Sequence, residues 1–400
     1  MEKQNIEPLK SLNTIKCVYC TNEFKEGEGS LEHVILSSLG GRKGSRNICC
    51  EKCNGRLGTE IDKPVADSFS FFSNILGIKT GRNKKAAVIK NIIEIGDSLY
   101  NMLPQGKFEL SKTKVNIKEF DNRKEVSISA KDEEEAKNIL KNILFNQLKL
   151  DPKAIDKVQA TLHKIYPPEV IHKFSLGGDE QYRSFAKTML TYLATLVKPE
   201  RLREDNFKDI IDYINGISHQ NKYPILYNGT LSLPIEPKIS NINHRIFIHA
   251  SNKKNKVIGV LEIFGNIKIS CILSNKWKYK NISKVYVIDP VTSESLNEDI
   301  TLSETFVNEC INMKISLDES SVNYIKSDLT NLTEEVVKRQ KDSIMTEKIE
   351  KAMEMYLPKE GEVITDESMH KLSHYLANEI IHDLYRIDRK EELELKFEDL

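Results

Sequence analysis

Within its first 65 or so residues the chain gathers most of its reactive side chains. Cys17 and Cys20 form one CxxC pair and Cys50 and Cys53 another. Between them stands an acid joined directly to a histidine, Glu32-His33, and Asn54 follows the last cysteine. Each CxxC turn aims two thiolates at one point, so the two turns together supply the four sulfurs of a closed tetrahedral zinc site. Such a site leaves no coordination position for water; its role is to fold a segment too small to bury its own core. Cys49 adjoins Cys50 as a substitute ligand, but the symmetric spacing favours Cys50. A carboxylate beside an imidazole suits phosphodiester hydrolysis: the carboxylate binds a hard divalent cation, and the imidazole takes a proton from water near neutral pH. The amide oxygen of Asn54 is suited to be the second protein ligand of that cation.

The order CxxC, Glu32-His33-Val34, Leu39-Gly40-Gly41, Cys50-Glu51-Lys52-Cys53-Asn54, Gly58 and Ile61-Asp62 resembles the zinc-knuckle branch of the HNH endonucleases. The resemblance covers only this N-terminal stretch. It implies a ββα-metal fold in which His33 is the general base, while Glu32 and Asn54 hold one Mg²⁺ or Mn²⁺ against the scissile phosphate. The family's middle asparagine, which orients the histidine, has its counterpart in Asn47. Leu36 stands where many members have proline, and the last ligand is asparagine rather than histidine. The activity implied is metal-dependent DNA cleavage, of the kind that serves bacterial restriction or anti-phage defence. The competing reading is a zinc ribbon that binds nucleic acid without cutting it, which would have no need of Glu32, His33 and Asn54 together.

Gly40-Gly41 implies a tight turn between two strands. Around it and the following helix start cluster Arg42, Lys43, Arg46 and Arg56, with Lys84 and Lys85 further on, all suited to phosphate contacts. Asp62 is either a group behind the cation or a helix-surface carboxylate. Lys253, Lys254, Lys256, Lys276, Lys278 and Lys280 surround Trp277 and Tyr279, which offers base stacking but reads more simply as a sheet edge. His370 and His374 share a helix face, yet no acid accompanies them in the HExxH manner.

These groups belong to a chain of 400 residues with formal net charge zero, 30% charged and 7% aromatic residues. That length argues for two or three domains, and the neutral balance leaves only local basic surfaces to attract a polyanion. The concentration of five of seven cysteines in residues 17–53, with no signal-peptide pattern and no long apolar run, implies thiolates held by zinc in a reducing cytoplasm and no membrane span. The expected class is α+β in three parts: a zinc-stapled nuclease unit over 1–78, an α+β region over 79–300, and a helical region over 301–400. Alternating segments predict strands over 86–130 and in HRIFIHA, KVIGVLEIFG, NIKISCILS and SKVYVIDP. Helices are predicted from Asp132, over 179–197, over 205–214 and in the charged stretches after 300, before an acidic tail, EELELKFEDL. Nothing beyond residue 79 names a ligand; DNA binding, response to an activating ligand and docking of a partner protein are its expected roles.

Overall fold

The structure, a computed structural model, describes residues 14–80, 86–121, 123–150, 159–164, 174–218, 226–227, 231, 233–234, 236–312, 319–358, 363–384 and 389–394. The fold is α+β. In chain order it opens with β1 (Thr14–Lys16), β2 (Glu23–Lys25), β3 (Ser30–His33) and β4 (Gly44–Cys49), followed by α1 (Glu51–Leu57), a π-helical turn (Gly58–Asp62), α2 (Lys63–Ser68) and α3 (Ser70–Ile75). Next come β5 (Ile89–Ile95), β6 (Ser98–Leu103), β7 (Lys107–Leu110), β8 (Lys114–Phe120), β9 (Arg123–Ser129), α4 (Glu133–Asn142) and β10 (Gln159–Lys164). Then follow α5 (Asp179–Leu196), α6 (Lys208–Ile214), β11 (Leu226–Tyr227), β12 (His244–Ser251), β13 (Lys256–Ile263), β14 (Ile267–Ser274), β15 (Ile282–Ile288) and β16 (Ser295–Asp299). The chain closes with α7 (Glu304–Asn312), α8 (Glu319–Tyr356), α9 (Asp366–Leu384) and β17 (Arg389–Glu394).

The chain divides into two compact units, and neither is continuous in sequence: Met1–Ala87 with Phe174–Val337, and Val88–Lys173 with Lys338–Leu400. This cuts across the three consecutive segments expected from composition. The reason lies in α5. Residues 184–194 are buried on every side of it, so the helix must be covered all round. Within the first unit it packs against β3, β4, the π-helical turn and α2, and also against β12, β13 and β14. Those strands belong to an antiparallel sheet of order β11-β14-β13-β12-β15-β16. The alternating segments between residues 244 and 288 therefore fall where expected, with the sheet covered by α5.

The second unit holds the three-stranded sheet β5-β6-β7, the hairpin β8-β9, α4, α9 and the C-terminal half of α8. Asp132 caps α4 by accepting from the Glu135 N–H at 2.8 Å, as the acid-rich helix start implies. The first four residues of the acidic tail, 391–394, belong to a strand, Arg389–Glu394, paired antiparallel with β10 from Gln159↔Glu394 to Lys164↔Arg389, and the rest of the tail lies outside the described residues. Only one of its six residues, Leu393, is apolar, so no two-residue alternation marks it as a strand.

In the first unit, the segment joining β3 to β4 makes a short 3-10 turn, Ser37–Leu39, that Gly40 closes at φ 89°. A Cβ on Gly41 would stand 1.8 Å from the Ile35 carbonyl oxygen, so only glycine fits there. This turn is fastened to the large sheet by His244. The buried ring accepts the Phe264 N–H at its Nδ1 (3.1 Å), which leaves Nε2–H to donate to the Leu39 carbonyl at 2.8 Å. Burial lowers the pKa of His244 from 6.5 to about 4. Between those values the unfolded chain takes up a proton that the folded protein refuses, so stability is full above 6.5 and declines as pH falls toward 4. The loss is on the order of 3 kcal/mol. Urea midpoints measured at about pH 7 and about pH 5 should therefore fall more steeply for the wild type than for His244→Gln, which lacks the titrating ring.

Candidate active site and zinc staple

The β1–β2 turn presents Cys17 and Cys20, and the junction of β4 with α1 presents Cys50 and Cys53. Their four Sγ atoms lie within 4.8 Å of one another, with Cys20 and Cys50 3.7 Å apart. A tetrahedron with Zn–S bonds of about 2.3 Å has sulfur–sulfur edges of roughly 3.8 Å, so the donor set fits zinc in size and chemistry. Burial opposes ionisation of Cys50, but the Cys53 N–H and the neighbouring thiols outweigh it and bring the thiol down to about 7. Cys49 has another partner: its thiol donates to Glu32 Oε2 at 3.4 Å. The symmetric pairing expected from the spacing is the one formed.

The knuckle is anchored from behind. Arg203 Nη1 donates to the carbonyls of Cys17 and Cys20, and Asn215 Nδ2 donates to the Tyr19 carbonyl at 3.0 Å. Neither residue stood out in the sequence, because a hydrogen bond to a carbonyl leaves no pattern in side-chain spacing.

Successive residues of a strand face opposite ways, so Glu32 and His33 part company on β3. Glu32 turns inward and is only 2% exposed. Its Oε1 accepts from the ammonium of Lys187, itself 2% exposed, on α5. The same ammonium donates to Asp62 Oδ2 at 2.9 Å, and Ser184 Oγ donates to Asp62 Oδ1 at 2.7 Å. Ser184 and Lys187, three residues apart, lie on one face of the helix. Burial disfavours the lysine charge, but Glu32 and Asp62 outweigh burial and hold Lys187 protonated. Sequence reasoning passed over Lys187, although it is the one charged residue between Arg183 and Lys198. A lone charge in an otherwise uncharged buried helix demands a counter-charge, and that was the available signal.

His33 is half-buried. Its pKa is lowered, first by burial and then by the positive charges of Lys187 and Arg42, which keeps the imidazole neutral and basic at neutral pH. Asn54, on α1, lays its Nδ2 against Ser30 Oγ (2.6 Å) and the Leu31 carbonyl (3.2 Å). The divalent cation expected on Glu32 and Asn54 does not fit Glu32 as placed. Both Glu32 oxygens are engaged by protein donors in a buried setting, whereas Asn54 is held to β3 through its Nδ2 and not through its amide oxygen. Asn47 also needs correction. Its Oδ1 accepts the Gly27 N–H at 2.7 Å, whereas His33 pairs with Gly44, three residues away along β4 and about 10 Å distant.

Of the basic residues, Arg42 is exposed and donates to the Lys79 carbonyl at 2.7 Å. Lys43 lies over the rings of Tyr192 (6.0 Å) and Tyr286 (5.4 Å). Arg46 donates to the Gly29 carbonyl at 3.2 Å, and Arg56 bonds Glu60 at 2.9 Å and Asn215 at 2.6 Å. Lys84 and Lys85 lie outside the described residues. Trp277 is fully buried, with its Nε1–H on the Lys280 carbonyl at 3.2 Å, so it is no stacking platform. The rings of His370 and His374 stand 6.5 Å apart, and among the described residues no further metal ligand joins them. Among the described residues, too, no helix is long and apolar enough to cross a membrane.

The two cysteine assignments can be separated. Cys53→Ser is expected to lose the bound zinc and to lower the melting temperature markedly, since the metal's binding energy is folding energy. Cys49→Ser, whose hydroxyl still reaches Glu32, should keep the zinc. Metal content by atomic emission, read beside thermal melts, checks both.

Comparison of the chain with curated proteins and with solved structures finds no match. The span from the first knuckle to the first residue of α3, residues 17–70, matches a family model described as HNH endonuclease, which puts the motif resemblance and the four-cysteine cluster on one segment.

Proposed function

We propose that the protein is an endonuclease that hydrolyses DNA phosphodiester bonds, with residues 17–70 as the cleaving unit and His33 as its general base. The observation that carries this reading is His33 itself. A half-buried imidazole, kept neutral beside the exposed Arg42, stands at the end of a hairpin in the segment that matches the HNH endonuclease family. In the reaction, His33 takes a proton from water as its oxygen attacks phosphorus. The bond to the leaving sugar oxygen breaks, and that oxygen regains a proton. Arg42 supplies positive charge near the phosphate. Restriction or defence against phage is the cellular role in keeping with such an activity, by analogy with other nucleases of this kind, and the second unit is the part available to govern when cleavage occurs.

A second reading, a zinc ribbon that binds nucleic acid without cutting, draws support from the engagement of Glu32 by Lys187 and of Asn54 by β3. Purified protein incubated with supercoiled plasmid, with and without Mg²⁺ or Mn²⁺, separates the two. His33→Ala is expected to abolish nicking while zinc content and melting curve stay unchanged. Nicking retained by that variant would overturn the general base, and gel shift without nicking by the wild type would favour the ribbon. The cleavage rate should also hold its plateau to a pH below 6.5, the ordinary histidine value, because the pKa of the base is depressed.

A further inference from the structure

The carboxylate that family resemblance would give to a metal is engaged by a lysine from the far side of the chain. Lys187 and Glu32 are separated by 155 positions, and both are buried. Asp62, from the π-helical turn, completes a set of two carboxylates around one ammonium, with Ser184 satisfying the second Asp62 oxygen. Of the four carboxylate oxygens, two face the lysine and the others are taken by Cys49 and Ser184. A hard divalent cation needs about six oxygen ligands, and Mg²⁺ keeps several waters. This enclosed place has two oxygens directed at a single point, and that point is filled by the ammonium.

We propose that Lys187 is a built-in cation: its ammonium holds the position between Glu32 and Asp62 that a divalent metal would otherwise take, so that Glu32 binds no metal and β3 is set by a lysine. Lys187 is thus a positioning residue. It holds Glu32 inward and thereby fixes the strand that carries His33. The inference builds on the reading of residues 17–70 as a nuclease, but its test requires no cleavage.

Zinc-loaded protein is titrated with Mn²⁺, read by the loss of the free-ion electron paramagnetic resonance signal and by the melting temperature. The wild type is expected to bind no Mn²⁺ that Glu32→Gln removes, and to melt at the same temperature with or without it. Lys187→Ala leaves two carboxylates facing a space open to an ion and its waters. It should melt lower than wild type, gain one equivalent of Mn²⁺ and recover melting temperature as Mn²⁺ is added. Lys187→Arg should behave like wild type toward Mn²⁺. A merely structural lysine would give loss of stability without the metal response. The proposal is overturned if wild type binds one Mn²⁺ that Glu32→Gln abolishes, or if folded Lys187→Ala is indifferent to the ion. Should Lys187→Ala fail to fold, the comparison of wild type with Glu32→Gln decides alone. Absence of plasmid cleavage by a wild type that passes these tests would strike the nuclease reading and leave the lysine assignment standing.

Discussion

An ammonium cannot lie in a protein interior without partners, and neither can a carboxylate. Lys187, Glu32 and Asp62 satisfy that constraint only together. Each comes from a different element: the middle of α5, the strand β3, and the turn that follows α1. Removing Lys187 leaves Glu32 and Asp62 without a counter-charge, which typically costs several kcal/mol, so the three elements hold one register. The consequence reaches the surface. His33 is the next residue after Glu32 on β3, and its placement follows from where Glu32 is held. Its neutrality depends in part on the same lysine, whose charge disfavours a second positive charge nearby.

The rest of the first unit reinforces this arrangement by fastening backbone. The four cysteines close β1–β2 onto the β4–α1 junction. Arg203 and Asn215 hold the carbonyls of the first knuckle, and His244 holds the turn between β3 and β4. All three follow α5 in sequence. The ββα unit is therefore embedded in its own compact body, with its folding distributed between a local four-cysteine cluster and contacts supplied by residues far along the chain.

What could be read from the sequence tracks the range of the interaction responsible. The zinc ligands were legible because CxxC spacing is itself the geometry of the site. The strands from His244 to Ile288 and the caps and acids of α4 were legible because alternation and capping act within a few residues. Asn47 could not be assigned from spacing, since the glycine it serves depends on how β2, β3 and β4 meet. The engagement of Glu32 rests on one contact with a residue 155 positions away, for which a solitary lysine in a buried helix was the only local sign. The segment boundaries failed for the same reason. Composition changes along the chain, whereas compactness is set by α5, whose buried circumference draws both ends of the first unit around it. β17 was missed because charge on an edge strand looks like a solvated tail.

The discontinuity of the first unit bears on how the protein comes into being. Synthesis delivers the cysteines, Glu32, His33 and Asp62 more than a hundred residues before it delivers Lys187. Until then the two carboxylates have no counter-charge, and neither Arg203 nor His244 exists to hold the hairpin. A nascent or prematurely ended chain thus carries every reactive group of the N-terminal segment without the frame that orients them. The order of translation leaves the competent arrangement to chains that have reached their later half.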